Sequence, residues 1–188
     1  GKIGNSPLTQ EAISSTNEKV AFDIIGPLPT TERGNRYILT IVDYFTKWLE
    51  CVPLSNHLAT TVTDALFEHW ITKYGIPEQL HCDQAREFEG IVMSQLCDLL
   101  HIDKTRTNPY RPRSNGLVER SNQTVEKVLA KLVSDQKDDW DKFIPAVVMS
   151  YRATPHASTD FTPNKLMLGR EVTTPVELLY PPPVTHQR

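Results

Sequence analysis

Residues Tyr37-Ile38-Leu39-Thr40-Ile41-Val42 form a nearly unbroken apolar run, rich in β-branched side chains. A strand with one wet face alternates apolar and polar residues. A run without that alternation predicts a central strand buried on both sides. Both faces of its sheet must then be covered, and the rest of the chain supplies the covers. Strands are expected at about 19–25, 36–44 and 47–53, with a turn at Arg33-Gly34-Asn35-Arg36. A helix follows from about Thr60 to Tyr74, where Val62, Leu66, Trp70 and Tyr74 recur every four residues and Gly75 and Pro77 stop the run. A short strand covers Leu80 to Asp83, a helix about Gly90 to His101, with Val92, Leu96, Leu99 and Leu100 inward, and a brief fifth strand 102–107. Pro109 and Pro112 make 108–116 a loop. Amphipathic helices are expected over Leu117–Val133 and Trp140–Tyr151, and a short one near Pro163–Leu168. Strands alternating with helices predict one α/β domain with a mixed sheet.

The 188 residues suffice for one domain with a sizeable core. Residues 1–17 read as an arm or linker, 18–171 as the core and 172–188 as a Pro-rich tail ending in Pro181-Pro182-Pro183. No apolar run approaches the ~20 residues of a membrane span, no secretory signal is visible, and Gly1 is not an initiator. The three scattered cysteines, Cys51, Cys82 and Cys97, argue for a reducing compartment rather than a disulfide framework. A zinc site drawn from Cys97, His101, His81 and Cys82 is disfavoured, because no Cys-x-x-Cys pair is present. Trp48, Trp70 and Trp140 stand at core-like spacing and read as packing.

Three acids stand in costly places. Asp23 interrupts Val20-Ala21-Phe22-Asp23-Ile24-Ile25, and Asp83 ends Gln79-Leu80-His81-Cys82-Asp83. An acid inside an apolar strand is expensive unless it is paired or holds a metal. Glu119 opens a helical stretch, 35 intervening residues after Asp83. The three together suggest a shared cation. Net charge is −3, which speaks weakly against bulk nucleic-acid binding. From Lys104 to Lys131, however, seven basic residues (Lys104, Arg106, Arg111, Arg113, Arg120, Lys127, Lys131) face only Glu119 and Glu126. That stretch reads equally as a solvated helix face and as a phosphate-binding segment.

Ordered along the chain, several pieces resemble the catalytic core of a retroviral-type integrase, most similar to those of gypsy-class long-terminal-repeat retrotransposons and spumaviruses. They are Phe22-Asp23-Ile24-Ile25-Gly26-Pro27-Leu28-Pro29, Val42-Asp43-Tyr44-Phe45-Thr46-Lys47, Tyr74-Gly75-Ile76-Pro77, His81-Cys82-Asp83-Gln84-Ala85-Arg86-Glu87-Phe88, Asn108-Pro109-Tyr110-Arg111-Pro112-Arg113-Ser114-Asn115-Gly116-Leu117-Val118-Glu119-Arg120, Thr162-Pro163 and Leu168-Gly169-Arg170. The resemblance covers about residues 18–171. It implies an RNase H-like fold, a five-stranded mixed sheet flanked by helices. It implies that Asp23, Asp83 and Glu119 are the catalytic carboxylates and hold Mg²⁺ or Mn²⁺, two ions in the active complex. The implied reaction is 3′-end processing of donor DNA, then attack of the new 3′-hydroxyl on a target phosphodiester. Gln84, Arg111, Arg113, Asn115, Arg120 and Lys127 would meet DNA. Implied partners are donor and target DNA, a second core in a homodimer, and higher oligomers through flanking domains, with no membrane. The implied location is nuclear, or a cytoplasmic particle before nuclear entry.

The chain departs from the family pattern in places. Ala85 stands where glycine is usual, Cys82 where serine is usual, and Arg111 and Arg113 where His and Gln are frequent. Glu126 adds an acid on the helix that Glu119 opens. These departures admit a host-domesticated DNA- or protein-binding module with weak or no catalysis; a separate alternative is an RNase H-like nuclease, whose product would be hydrolysed rather than joined.

Overall fold

The computed structural model describes residues 13–82, 86–101 and 119–175; at Arg86 and at 119–124 it describes the backbone alone. Its sheet contains β1 (Lys19–Ile25), β2 (Tyr37–Asp43), β3 (Leu49–Leu54) and β4 (Gln79–Cys82), in the order β3-β2-β1-β4. β1 and β2 are antiparallel, as are β2 and β3, and β4 runs parallel to β1. The sheet is therefore mixed, as expected. The expected fifth strand, 102–107, lies outside the described residues.

β2 is buried along its whole length, from Tyr37 to Asp43. The alternation of side chains sorts two cores onto the two faces. On one face Val20, Phe22, Ile24, Leu39, Ile41 and Val52 meet Val62, Leu66, Trp70, Val92 and Leu96. On the other, Ile38, Val42 and Leu49 meet Val125, Leu129, Leu132, Trp140, Ile144 and Val148. The unbroken apolar run thus has the cause expected for it: helices cover both sides.

The first cover is a helical rod made of α1 (Ala59–Leu66), a π-helical turn (Phe67–Ile71) and α2 (Thr72–Tyr74). Residues four apart drift by roughly 40° per step around an ideal α-helix. The wider π turn takes up part of that drift, and Val62, Leu66 and Trp70 all stay buried. α3 (Arg86–Leu99) begins four residues before the expected Gly90. Its first turn carries Glu87 and Glu89, which complement the positive end of the helix dipole. The earlier start also changes the inward set. Leu99, expected to face inward, is 43% exposed, while Phe88 and Met93 pack on the core with Val92 and Leu96.

On the opposite face lie α4 (Glu119–Asp135) and α5 (Trp140–Arg152). Leu129 is buried and its neighbour Val128 is exposed. α6 (Pro163–Leu168) has the expected bounds: the Thr162 hydroxyl accepts from the Lys165 N–H at 3.0 Å, and Gly169 closes the helix at φ +73°. All three tryptophans are packed, each with its indole N–H donated: Trp48 to Tyr74 Oη, Trp70 to Asn17 Oδ1, and Trp140 to the Pro29 carbonyl. Between β1 and β2, Gly26 has φ +142°, and a Cβ there would stand 2.6 Å from the Tyr37 ring. Among the described residues no helix is long and apolar enough to cross a membrane.

Candidate active site

Asp23 sits at the fifth position of β1, between Phe22 and Ile24, which are 1% and 8% exposed. It is itself half-buried. Its Oδ1 accepts the Ile24 N–H at 2.8 Å, and its backbone carbonyl accepts the Thr40 hydroxyl at 3.4 Å from the adjacent strand. Phe22 and Ile24 belong to the core beneath α1 and α3. The period of two therefore turns Asp23 to the other face, with Ile25 and Ile38, which pack against α4 and α5. Glu119 is the first residue of α4. The helix it opens thus covers the sheet face that carries Asp23.

The parallel pairing of β1 with β4 sets Phe22 beside Cys82. Asp23 and Asp83 each follow one of these partners in sequence. Asp83, Gln84, Arg111, Arg113 and Asn115 lie outside the described residues, as does Ala85. Arg120 is described only as part of the first turn of α4, and Lys127 is exposed two turns further along, next to the exposed Glu126. With Asp23 the sole member of the triad whose side chain is described, the described residues hold no group of three or more His, Cys, Asp or Glu able to bind a metal. What they show of the set fits a hard divalent cation. The candidate ligand on β1 is a carboxylate with access to solvent, while Cys51, Cys82 and Cys97 form no disulfide and are dispersed.

Three other acids, not singled out from the sequence as buried, prove to be structural or close to the site. Asp43, at the end of β2, is fully buried; its Oδ1 accepts the Asn17 N–H at 2.9 Å, and its Oδ2 accepts the Thr46 N–H and hydroxyl at 2.8 and 2.6 Å. Asp141 in α5 accepts from the Thr31 hydroxyl and the Asn35 side-chain amide, tying α5 to the β1–β2 connection. Burial pushes its carboxyl upward, but those two hydrogen bonds and nearby Arg33 prevail and hold it below the usual value. Glu89 in α3 is 6% exposed and reaches back to β4.

The far side of the sheet carries a polar cluster. Glu50 Oε1 on β3 accepts the Tyr74 hydroxyl at 2.6 Å and pairs with Arg152 at 3.1 Å. The Arg152 guanidinium lies 3.8 Å over the Trp48 ring and donates to the Leu49 carbonyl. Burial, then the Glu50 bond, pushes the Tyr74 phenol up to about 12. A strand acid beside Trp48 was the available sequence signal for this cluster, but its partners come from α2 and α5, far away in the chain.

A mixed sheet with helices on both faces and an acid on its parallel β1–β4 pair has the RNase H-like fold of integrase catalytic cores. Residues 14–112 match the integrase core domain family, and the chain belongs to it. It is 33% identical over 153 residues, 81% of this chain, to the retrovirus-related Pol polyprotein from transposon 412 of Drosophila melanogaster. It is also 33% identical over 157 residues, 82% of the chain, to the Gag-Pol polyprotein of avian reticuloendotheliosis virus. The chain spans about 12% of the length of each of these polyproteins. Among solved structures, the HTLV-2 integrase catalytic core domain in complex with magnesium, in a trimeric form, superposes with a TM-score of 0.56 at 17% identity; 80% of this chain and 95% of that one are covered.

Proposed function

We propose that this domain is the metal-dependent polynucleotidyl transferase core of an integrase, which processes donor 3′-ends and joins them to target DNA. The observation that carries the reading is the β1–β4 register. Phe22 and Cys82 are side by side on neighbouring parallel strands, and Asp23 and Asp83 each come next in sequence. Ligands of open α/β sheets gather at such strand ends. α4, which begins with Glu119, packs on the face to which Asp23 turns. Asp23, Asp83 and Glu119 would hold the ions. A pair of Mg²⁺ or Mn²⁺ ions activates a hydroxyl nucleophile and stabilises the leaving oxygen of an in-line phosphoryl displacement. The magnesium named with the HTLV-2 core supports that choice of metal, and its trimeric form supports self-association of such cores.

The chain's own residues bind and orient the DNA. Arg111, Arg113, Arg120 and Lys127 neutralise backbone phosphates, and Gln84 and Asn115 orient the reacting strand. Joining to chromosomal DNA would take place in the nucleus, after passage as a cytoplasmic particle. The test uses the protein with its flanking segments, a labelled terminal-repeat duplex and Mn²⁺, with Asp83→Asn as control. Joined products that vanish in the mutant are the expected result. Nicking without joining would instead make this a nuclease. No metal-dependent product at all would leave a binding module, the outcome consistent with alanine at position 85.

A further inference from the structure

Glu89 is a buried carboxylate to which the proposed chemistry assigns no role. It lies in the first turn of α3, 6% exposed, between the half-buried Phe88 and the exposed Gly90. A carboxylate so enclosed is costly unless polar partners answer it. The partners it reaches are specific. Its Oε2 accepts the backbone N–H of Cys82 at 3.4 Å and stands 3.7 Å from His81 Nδ1, with both side chains largely enclosed. These two residues immediately precede Asp83. The carboxylate therefore ties the first turn of α3 to the last residues of β4. At its far side Cys82 is also in register with Phe22, next to Asp23.

The geometry points to Glu89 as a positioning residue for the metal site: it holds the peptide entering Asp83, and so sets the approach of that carboxylate to Asp23. This inference rests on the reading of Asp23 and Asp83 as metal ligands. Asp43 and Asp141 show the same device elsewhere in the fold, where a buried carboxylate fastens a turn by its backbone or side-chain donors. Only at Glu89 does the fastened turn carry a proposed ligand. Groups that orient a metal ligand from behind typically change metal affinity by about 10- to 100-fold when removed.

The test is Mn²⁺ titration of the full chain without DNA, followed by the electron paramagnetic resonance signal of free Mn²⁺, with Asp83→Asn as the reference for a lost site. Exchange of the Cys82 amide hydrogen gives a second readout independent of metal. Glu89→Ala is expected to weaken Mn²⁺ binding by about 10- to 100-fold and to speed Cys82 exchange. Glu89→Gln, which keeps an acceptor oxygen and the side-chain shape but loses the charge, is expected to lose about tenfold and to retain slow exchange. If Glu89→Ala does not fold, the glutamine variant decides. Wild-type Mn²⁺ affinity in a folded Glu89 variant, or unchanged Cys82 exchange in Glu89→Ala, overturns the inference while leaving the metal site standing. Wild-type protein that binds no Mn²⁺ in an Asp83-dependent way overturns the site itself, and the positioning role with it.

Discussion

Two ends of the sheet each place an aspartate in an apolar strand, and they use it in opposite ways. At the β2–β3 end, Asp43 is fully enclosed and surrounded by donors: the Asn17 and Thr46 amides and the Thr46 hydroxyl all point at it. Nearby, Glu50, Tyr74, Arg152 and Trp48 interlock. At the β1–β4 end, Asp23 is half-buried and bonds to its own neighbour, Ile24. The apolar setting alone does not separate the two. The difference lies in burial: Asp43 is fully enclosed, whereas Asp23 keeps part of its surface in solvent. An acid answered by three internal donors is a fastener. One that keeps access to solvent beside a parallel strand pair is the candidate ligand of the proposed site.

Removing the fastener gives the largest effect. Asp43→Ala leaves two amides and a hydroxyl buried without their acceptor, and a loss of about 3–5 kcal/mol is expected in urea unfolding. Activity should fall only in proportion to the unfolded fraction. Asp23→Asn is the converse. Joining activity should drop at least about a hundredfold, since loss of an outer partner of a metal ligand alone reaches that range, while the urea midpoint stays close to wild type. If Asp43→Ala is stable, or if Asp23→Asn unfolds the protein, the contrast between the two ends fails.

Tyr74→Phe sharpens the anchored end. It deletes the bond to Glu50 and the acceptor for the Trp48 indole, for an expected loss of about 1–2 kcal/mol. Titration probes the same region with a smaller effect. Burial, then Glu50 for Tyr74 and Cys51 for Tyr151, raises both phenols to about 12, from an ordinary 10.0. Burial raises the Cys51 thiol to about 12 as well, from 9.0. A raised pKa on these acids favours the neutral form in the fold. The stability it contributes is complete below about pH 9 and is lost progressively as pH climbs toward 12. Absorbance titration should show Tyr74 and Tyr151 ionising late, and thermal unfolding should weaken over the same range. Ordinary titration of both would mean that this end is wetter than Asp43 indicates.

Much of the fold was legible because it depends on local pattern. The unbroken run Tyr37–Val42 announces a strand covered on both faces, and Thr162-Pro163 with Gly169 marks the bounds of α6. The start of α3 was misread because Phe88, the first inward residue, is preceded by Arg86 and Glu87, which look like loop. The four-residue repeat of the first helix was visible, but not the π turn that helps keep it facing the core. At the site, Asp23 could be singled out as an acid among apolar neighbours. Glu89 could not, because it stands in a charged stretch whose burial follows only from helix packing.

By itself, then, the sequence determined the four described strands, most of the helices, the family and the position of Asp23 within β1, since these follow from side-chain periodicity and from motifs read in order. The tertiary structure alone decided which acids are fasteners. That depends on donors brought together across 26 residues for Asp43 and 110 for Asp141. It also decided that Glu89 folds back onto His81 and Cys82 at the end of β4, because burial and hydrogen bonding belong to the packed chain and not to any one segment of it.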